Sequence, residues 1–244
     1  MFSGRDEPAP VLEDHSFFRK DAGGNITDFL FPYLKDYNDT KRLGYISLIT
    51  CNHDTVRPSY NLDFTELKFF YAFIFTMPGI PFLYFGDEIG MRYMNLSTKE
   101  GGYFRAGSRT PMQWNNGKNM GFSKGNPSLL YLPVDSSPDA PNVEQEDNDS
   151  DSLLSTVKQL LSLRKANEDL QSDCPLEIIY AKDGILPFVY RRGHHIMAVN
   201  PSSHDMVLNL ALGNAKLVWS VRLGSANQNN IEIGAQSFLL ISQE

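Results

Sequence analysis

Apolar and polar positions change texture several times along this chain, and each texture predicts a different element. Between residues 25 and 37 the run NITDFLFPYLKDY sets Ile26, Phe29, Leu30, Tyr33, Leu34 and Tyr37 three and four apart, the spacing of one helix face. Asn25 or Thr27 would cap that helix, and Pro32, which lacks an N–H, should interrupt or bend it. Residues 45–50, YISLIT, form a short β-branched and aromatic run that stops at polar Asn52, His53 and Asp54, as a strand feeding a loop does. Residues 64–77, FTELKFFYAFIFTM, are apolar on nearly every side except around Glu66 and Lys68. Such a helix must be buried between layers, and Pro78-Gly79 should end it. A second buried run, residues 80–85, stops at Gly86, Asp87 and Glu88.

Strand, helix, strand over this distance is a βαβ unit with parallel strands. Both polar clusters then fall at the carboxyl edge of one sheet, where α/β folds place their chemistry. Residues 1–25 read as irregular, broken by Gly4, Pro8, Pro10 and Gly23-Gly24. Residues 95–150 carry little period but several aromatics (Tyr103, Phe104, Trp114, Phe122, Tyr131), which favours a packed, functional loop. Residues 152–166, SLLSTVKQLLSLRKA, predict an amphipathic helix whose Arg164-Lys165 end suits the macrodipole. Beyond Cys174-Pro175 come seven short strand-like runs, LEIIYA, PFVYRR, HIMAVN, MVLNLAL, KLVWSV, NIEI and QSFLLIS. Their even spacing points to an antiparallel β-sandwich. The fold class is therefore α/β plus all-β, with a boundary between residues 1–173 and 174–244.

Composition narrows the chemistry. Of 244 residues, 22 are Lys or Arg and 29 are Asp or Glu, a net charge of −7. That acidity argues against nucleic acid as a partner, because its affinity comes from neutralising phosphates. No stretch approaches the length of a membrane helix, so no membrane partner is expected. The start, MFSGRDEPAP, has no apolar segment of the secretory kind, and a cytoplasmic location is favoured. Cys51 and Cys174 are too far apart for a compact redox or zinc motif. The run 147–151 imitates a calcium loop, but Ser152 stands where Gly is needed and Lys158 where Glu is needed. The neighbours His194 and His195 would point to opposite faces of a strand. No metal and no cofactor is expected.

One cluster stands apart. Asn52, His53 and Asp54, with Arg57 close behind and Asp87-Glu88 ending the neighbouring strand, converge at the sheet's active edge. A carboxylate beside Arg and His is held in its charged form. Held so, it suits stabilising positive charge in a transition state, or hydrogen-bonding hydroxyls. The ordered series ISLITCNHD, PGIPFLYFGDEIGM, RTPMQW and GFSKGNPSLLYLP resembles the C-terminal half of the α-amylase family of glycoside hydrolases, and most resembles its bacterial α-glucosidase and oligo-1,6-glucosidase branch. The resemblance runs from about Asn25 to the end. It implies the C-terminal part of a (β/α)8 TIM barrel followed by an antiparallel β domain. Residues 45–50 would be the seventh barrel strand, 82–85 the eighth and 152–166 the last barrel helix.

The same resemblance makes Asp54 the transition-state-stabilising acid and gives His53 the sugar hydroxyls at the cleavage subsite, with Asn52 in the same turn. It sets Arg57 at the edge of that site and Arg109 and Trp114 near the substrate entrance, while Asp87 and Glu88 support. A retaining glycosidase also needs a nucleophile and a general acid about 5 Å apart. In the family these lie in a GxRxD segment and a separate Glu segment, and neither occurs here. Asp6, Glu7, Glu13, Asp14 and Asp21 follow no strand-like run, and no other acid is placed to be neutral. The expectation is part of a retaining hydrolase acting on α-linked gluco-oligosaccharides, inactive alone. Its open sheet edges would be covered by the missing N-terminal barrel half or by self-association. Two alternatives stand beside it: an isomerase or transferase of the trehalose-synthase kind, and a non-catalytic carbohydrate-binding remnant.

Overall fold

The computed structural model describes residues 17–21, 23–96 and 106–243. Most of the irregular segment 1–25 therefore lies outside the described residues, as do Tyr103 and Phe104 of the long loop. In chain order the elements are α1 (Ile26–Thr40), β1 (Ser47–Ile49), α2 (Phe64–Thr76), β2 (Ile80–Phe82), α3 (Val143–Asp147) and α4 (Leu153–Ala166). Eight strands follow: β3 (Glu177–Lys182), β4 (Ile185–Arg192), β5 (His195–Asn200), β6 (Met206–Asn209), β7 (Ala215–Val221), β8 (Gly224–Ala226), β9 (Asn230–Ile233) and β10 (Ser237–Gln243). The described residues divide into two compact units, one from residues 49–64 and 82–158, the other from residues 17–48, 65–81 and 159–243.

In the second unit, α1 runs through Pro32 without interruption. The proline forfeits one backbone bond, and the buried face formed by Ile26, Leu30 and Tyr33 outweighs it. Asn25 holds the N-cap position, but its side chain accepts from Gly184 N (2.8 Å) instead of capping the helix. Helix α2 is buried all round, and the burial extends to Glu66 and Lys68. Glu66 accepts the Lys20 backbone N–H at 2.5 Å, which makes its burial tolerable. Arg164, in the last turn of its own helix, is buried and donates to Phe75 O (2.5 Å), Met77 O (3.2 Å) and Gly79 O (2.6 Å). Arg192 does the same for Thr76 O (2.5 Å). The C-terminal carbonyls of α2 thus receive cationic donors, as the helix dipole favours. Burial lowers the Arg164 guanidinium to about 10.

Strands β3, β4, β5, β10 and β7 form one five-stranded antiparallel sheet in that spatial order, and β6, β9 and β8 form a three-stranded one. Val189, Ile196, Ala198, Leu239 and Ile241 of the larger sheet join Ile231 and Ile233 of the smaller in one buried cluster. The seven apolar runs all carry strands. The eighth strand, β8, is Gly-Ser-Ala and has no apolar alternation to announce it. His194 and His195 do not point apart. Both Nδ1 atoms lie against Asp169 Oδ2, at 3.0 and 3.3 Å, because His194 still belongs to the turn and only His195 is in β5.

The strands β1 and β2 pair in the same direction, with Ile80 N donating to Ile46 O (2.8 Å) and Thr50 N to Phe82 O (3.1 Å). Both are shorter than the apolar runs that contain them. Residues 83–85 leave strand geometry because the chain turns there, Asp87 N donating to Tyr84 O (3.0 Å). Gly86 makes that turn at φ +83, and a Cβ on it would meet the Met91 side chain. The long segment 106–152 holds short 3-10 turns and α3, whose cap is Asn142 accepting from Gln145 N (3.1 Å).

Candidate active site

The site is built in the first unit, where the chain leaves β1. Asn52 Oδ1 accepts from Asp54 N (2.8 Å), and Thr55 Oγ1 accepts from Asn52 N (3.0 Å). This pair of side-chain bonds closes a tight turn and leaves His53 and Asp54 at its tip, both exposed. Asn52 therefore shapes the turn from within. Asp54 Oδ1 accepts from Arg109 Nη2 at 2.9 Å, and Asp54 Oδ2 lies 3.3 Å from His53 Nε2. Arg109 Nε also donates to His53 O (2.8 Å). The guanidinium fork thereby clamps backbone and carboxylate of the turn together. The Asp54 and Arg109 side chains keep 33% and 31% of their surface exposed, so the pair faces solvent.

Arg57 does not sit at the edge of this turn. It is 1% exposed and donates to Asp87 Oδ1 (2.8 Å), Phe85 O (2.7 Å) and Ser108 O (3.0 Å), against the adjoining rings of Tyr84 and Phe85. Three strong acceptors repay the desolvation of a buried guanidinium, which an exposed edge would never demand. Asp87 completes the knot by accepting from Thr50 Oγ1 (2.6 Å) and Cys51 Sγ (3.2 Å). The polar cluster expected as one constellation is therefore two: an exposed Asp54–His53–Arg109 group and a buried Arg57–Asp87 group. Ser108, Thr50 and Cys51 went unmarked in the sequence, since nothing in residue type distinguishes a buried donor from a surface one. Burial and the Asp87 charge push the Cys51 thiol up, so it stays protonated and is no nucleophile at neutral pH.

Glu88 lies beside these groups in a pocket of about 530 Å³ whose lining includes Phe85, Arg109, Met112, Trp114, Phe122 and Tyr131. Burial raises its carboxyl above the ordinary range. Trp114 is 49% exposed and its backbone is tied to Met120 O (2.8 Å). Among the described residues no group of three or more His, Cys, Asp or Glu could hold a metal ion. The acidic run 147–151 is engaged locally, with Asp147 on Lys158 and Asp149 Oδ1 accepting from Asp151 N (2.8 Å).

The family described as "Alpha amylase, catalytic domain" matches residues 26–173, which contain both groups of site residues. The chain belongs to the alpha-amylase family. The probable oligo-1,6-glucosidase 2 of Bacillus subtilis is 32% identical to it over 203 residues, covering 68% of this chain and 35% of that protein. The trehalose synthase/amylase TreS of Mycobacterium tuberculosis is 38% identical over 112 residues, covering 44% of this chain and 18% of that one. In fold, the crystal structure of isomaltulose synthase from a Klebsiella species superposes on 93% of the chain with a TM-score of 0.75 at 18% identity, using 48% of its own length. The chain thus spans about a third of the oligo-1,6-glucosidase relative and about half of the solved structure. Its curated relatives include glucosidases and trehalose synthases, and also the amino acid transporter heavy chain SLC3A1 of Rattus norvegicus, 37% identical over 101 residues and covering 41% of this chain and 14% of that one.

Proposed function

We propose that this chain is the C-terminal part of a retaining enzyme that cleaves α-glucosidic bonds in gluco-oligosaccharides. On this reading residues 1–173 belong to the (β/α)8 barrel, and residues 174–244 are a separate antiparallel β-sandwich. Asp54 is the acid that stabilises the oxocarbenium-like transition state through its fixed negative charge. His53 hydrogen-bonds the sugar hydroxyls, and Arg109 orients the Asp54 carboxylate. Arg57 and Asp87 act as scaffold. The nucleophile and general acid are supplied by polypeptide that this chain does not include. The observation that carries the reading is the Asp54 carboxylate, held by Arg109 and His53 at the solvent-facing tip of the turn after β1.

The test grafts this chain onto the preceding part of the Bacillus subtilis relative and follows hydrolysis of a chromogenic α-glucoside. Asp54→Ala should lower kcat roughly 10²-fold or more; an undiminished kcat would sink the assignment. The unassisted chain should give no turnover, and hydrolysis by it, free of contaminating enzyme, would overturn that part. A second reading, isomerisation of the trehalose-synthase kind, is favoured by the 38% identity to such an enzyme over 112 residues. Maltose as substrate separates the two, glucose marking the hydrolase and trehalose the isomerase.

A further inference from the structure

The exposed Asp54–Arg109 pair and the buried Arg57–Asp87 pair are joined through a residue that belongs to neither. Ser108 is fully buried. Its carbonyl accepts from Arg57 Nη2 (3.0 Å), and its hydroxyl donates to Thr55 O. Thr55 closes the turn that carries Asp54: its N–H donates to Asn52 O (3.3 Å), and its Oγ1 accepts from Asn52 N (3.0 Å). Arg109 follows Ser108 directly and donates to Asp54 Oδ1 (2.9 Å) and His53 O (2.8 Å). The backbone before it is also fixed. Gly107 O accepts from Met94 N (3.2 Å), and a Cβ on Gly107 would collide with Met94 O. Arg109 N donates back to Ala106 O (3.0 Å).

We propose that Ser108 is a positioning residue for the Asp54 carboxylate, acting through Arg109. The proposal rests on the function proposed above, in which that carboxylate stabilises the transition state. An arginine side chain loses much rotamer freedom when it is held in one geometry. Arg109 is 31% exposed, and an ion pair in contact with water gains too little by itself to repay that loss. Its aim at Asp54 therefore depends on where its Cα is held. The Ser108 hydroxyl fastens that Cα to the turn, and the Ser108 carbonyl fastens it to the buried Arg57 guanidinium. Arg57 uses Nη1 for Asp87 and Nη2 for Ser108, so this tie does not run through Asp87. The carboxylate is thus set before substrate arrives, and a catalytic group displaced by about 1 Å loses much of its effect.

A hydroxyl that only held the fold would act whether or not Arg109 were present, so the experiment measures their coupling. It is a double-mutant cycle of Ser108→Ala and Arg109→Ala in the grafted enzyme, which contains this whole chain. Ser108→Ala should lower kcat roughly three- to tenfold, the worth of one hydrogen bond, with KM within about twofold of the parent. In the Arg109→Ala background the same change should cost less than about twofold further. Ser108→Cys keeps the volume and a weak S–H donor. It should fall between parent and alanine variant, and it carries the test if the alanine variant does not fold. A second readout needs no turnover. In the nitrogen-labelled full chain, NMR should show the Arg109 Nε–H exchanging with solvent roughly three- to tenfold faster after Ser108→Ala. The proposal is overturned by parental kcat in Ser108→Ala while Asp54→Ala is impaired, or by equal losses in the two Arg109 backgrounds. A loss confined to KM, or unaltered Nε–H exchange, overturns it as well. If exchange quickens while Asp54→Ala turns over at the parental rate, the proposed function fails and the tie between Ser108 and Arg109 stands.

Discussion

Two Arg–Asp pairs lie within one small region of this chain, and they differ in almost everything except their chemistry. Arg109–Asp54 and Arg57–Asp87 have similar separations, 2.9 and 2.8 Å. The first keeps about a third of each side chain in solvent; the second keeps none. Exposed pairs contribute little to stability, so the Asp54 charge remains at the surface for something other than holding the fold. A buried pair cannot be broken without leaving an uncompensated charge, so Arg57 and Asp87 fix the ends of the two strands on which the turn stands. On the function proposed above, position relative to water, more than residue type, separates the working carboxylate, Asp54, from the structural one, Asp87.

The sharpest way to break this contrast is to remove one member of the buried pair. Asp87→Ala should destabilise the protein by about 3–5 kcal/mol, measured by urea unfolding, because Arg57 would stay buried unpaired. Replacing both, Arg57→Met with Asp87→Leu, should recover part of that loss. Next in size is Arg109→Ala, expected to change stability by less than about 1 kcal/mol. In the assembled enzyme the same change should lower kcat/KM roughly tenfold, the worth of one hydrogen bond to a charged group.

Two acids then test the same lesson through pH. Burial raises the Glu88 carboxyl, so its contribution is fully present below the unfolded value near ~4.3 and fades as pH rises through the folded value. Glu88→Gln should therefore raise Tm at pH 7 and leave it unchanged at low pH. Asp169 runs the other way. Burial would raise it, but hydrogen bonds from the His194 backbone and from both imidazoles outweigh burial and hold it below the ordinary range. Its contribution is present above the unfolded value near ~3.9 and is lost as pH falls through the folded one. Asp169→Asn should cost less than about 1 kcal/mol at pH 7, and nothing once the wild-type carboxyl is protonated.

Much of the fold is legible in the chain because burial writes itself into local pattern. The all-apolar run of α2, the face of α1 and the seven strand-like runs each depend on neighbours within a few residues. What was illegible depends on partners far away in sequence. Arg109 reaches Asp54 across 55 residues, so Arg57, three residues from Asp54, looked the better partner. Arg164 matches the dipole of its own helix in the sequence, but its bonds to the carbonyls of Phe75, Met77 and Gly79, more than 80 residues earlier, have no local signal. The Asn52-His53-Asp54 turn was readable as a polar turn, since polar residues directly after an apolar run are a local signal, although the strand before it is only half buried. Which of its charged neighbours is buried was not, because Asp54 and Asp87 are the same residue type after similar strands.

The central claim is that Asp54 does chemistry while Asp87 does architecture. The measurement is kcat and urea midpoint, side by side, for Asp54→Ala and Asp87→Ala in the grafted enzyme. Asp54→Ala should lose roughly 10²-fold or more in kcat with a midpoint close to the parent. Asp87→Ala should lose its midpoint first, and its surviving folded fraction should retain most of its turnover. An Asp54→Ala enzyme with undiminished kcat, or an Asp87→Ala enzyme of parental stability, would contradict the account.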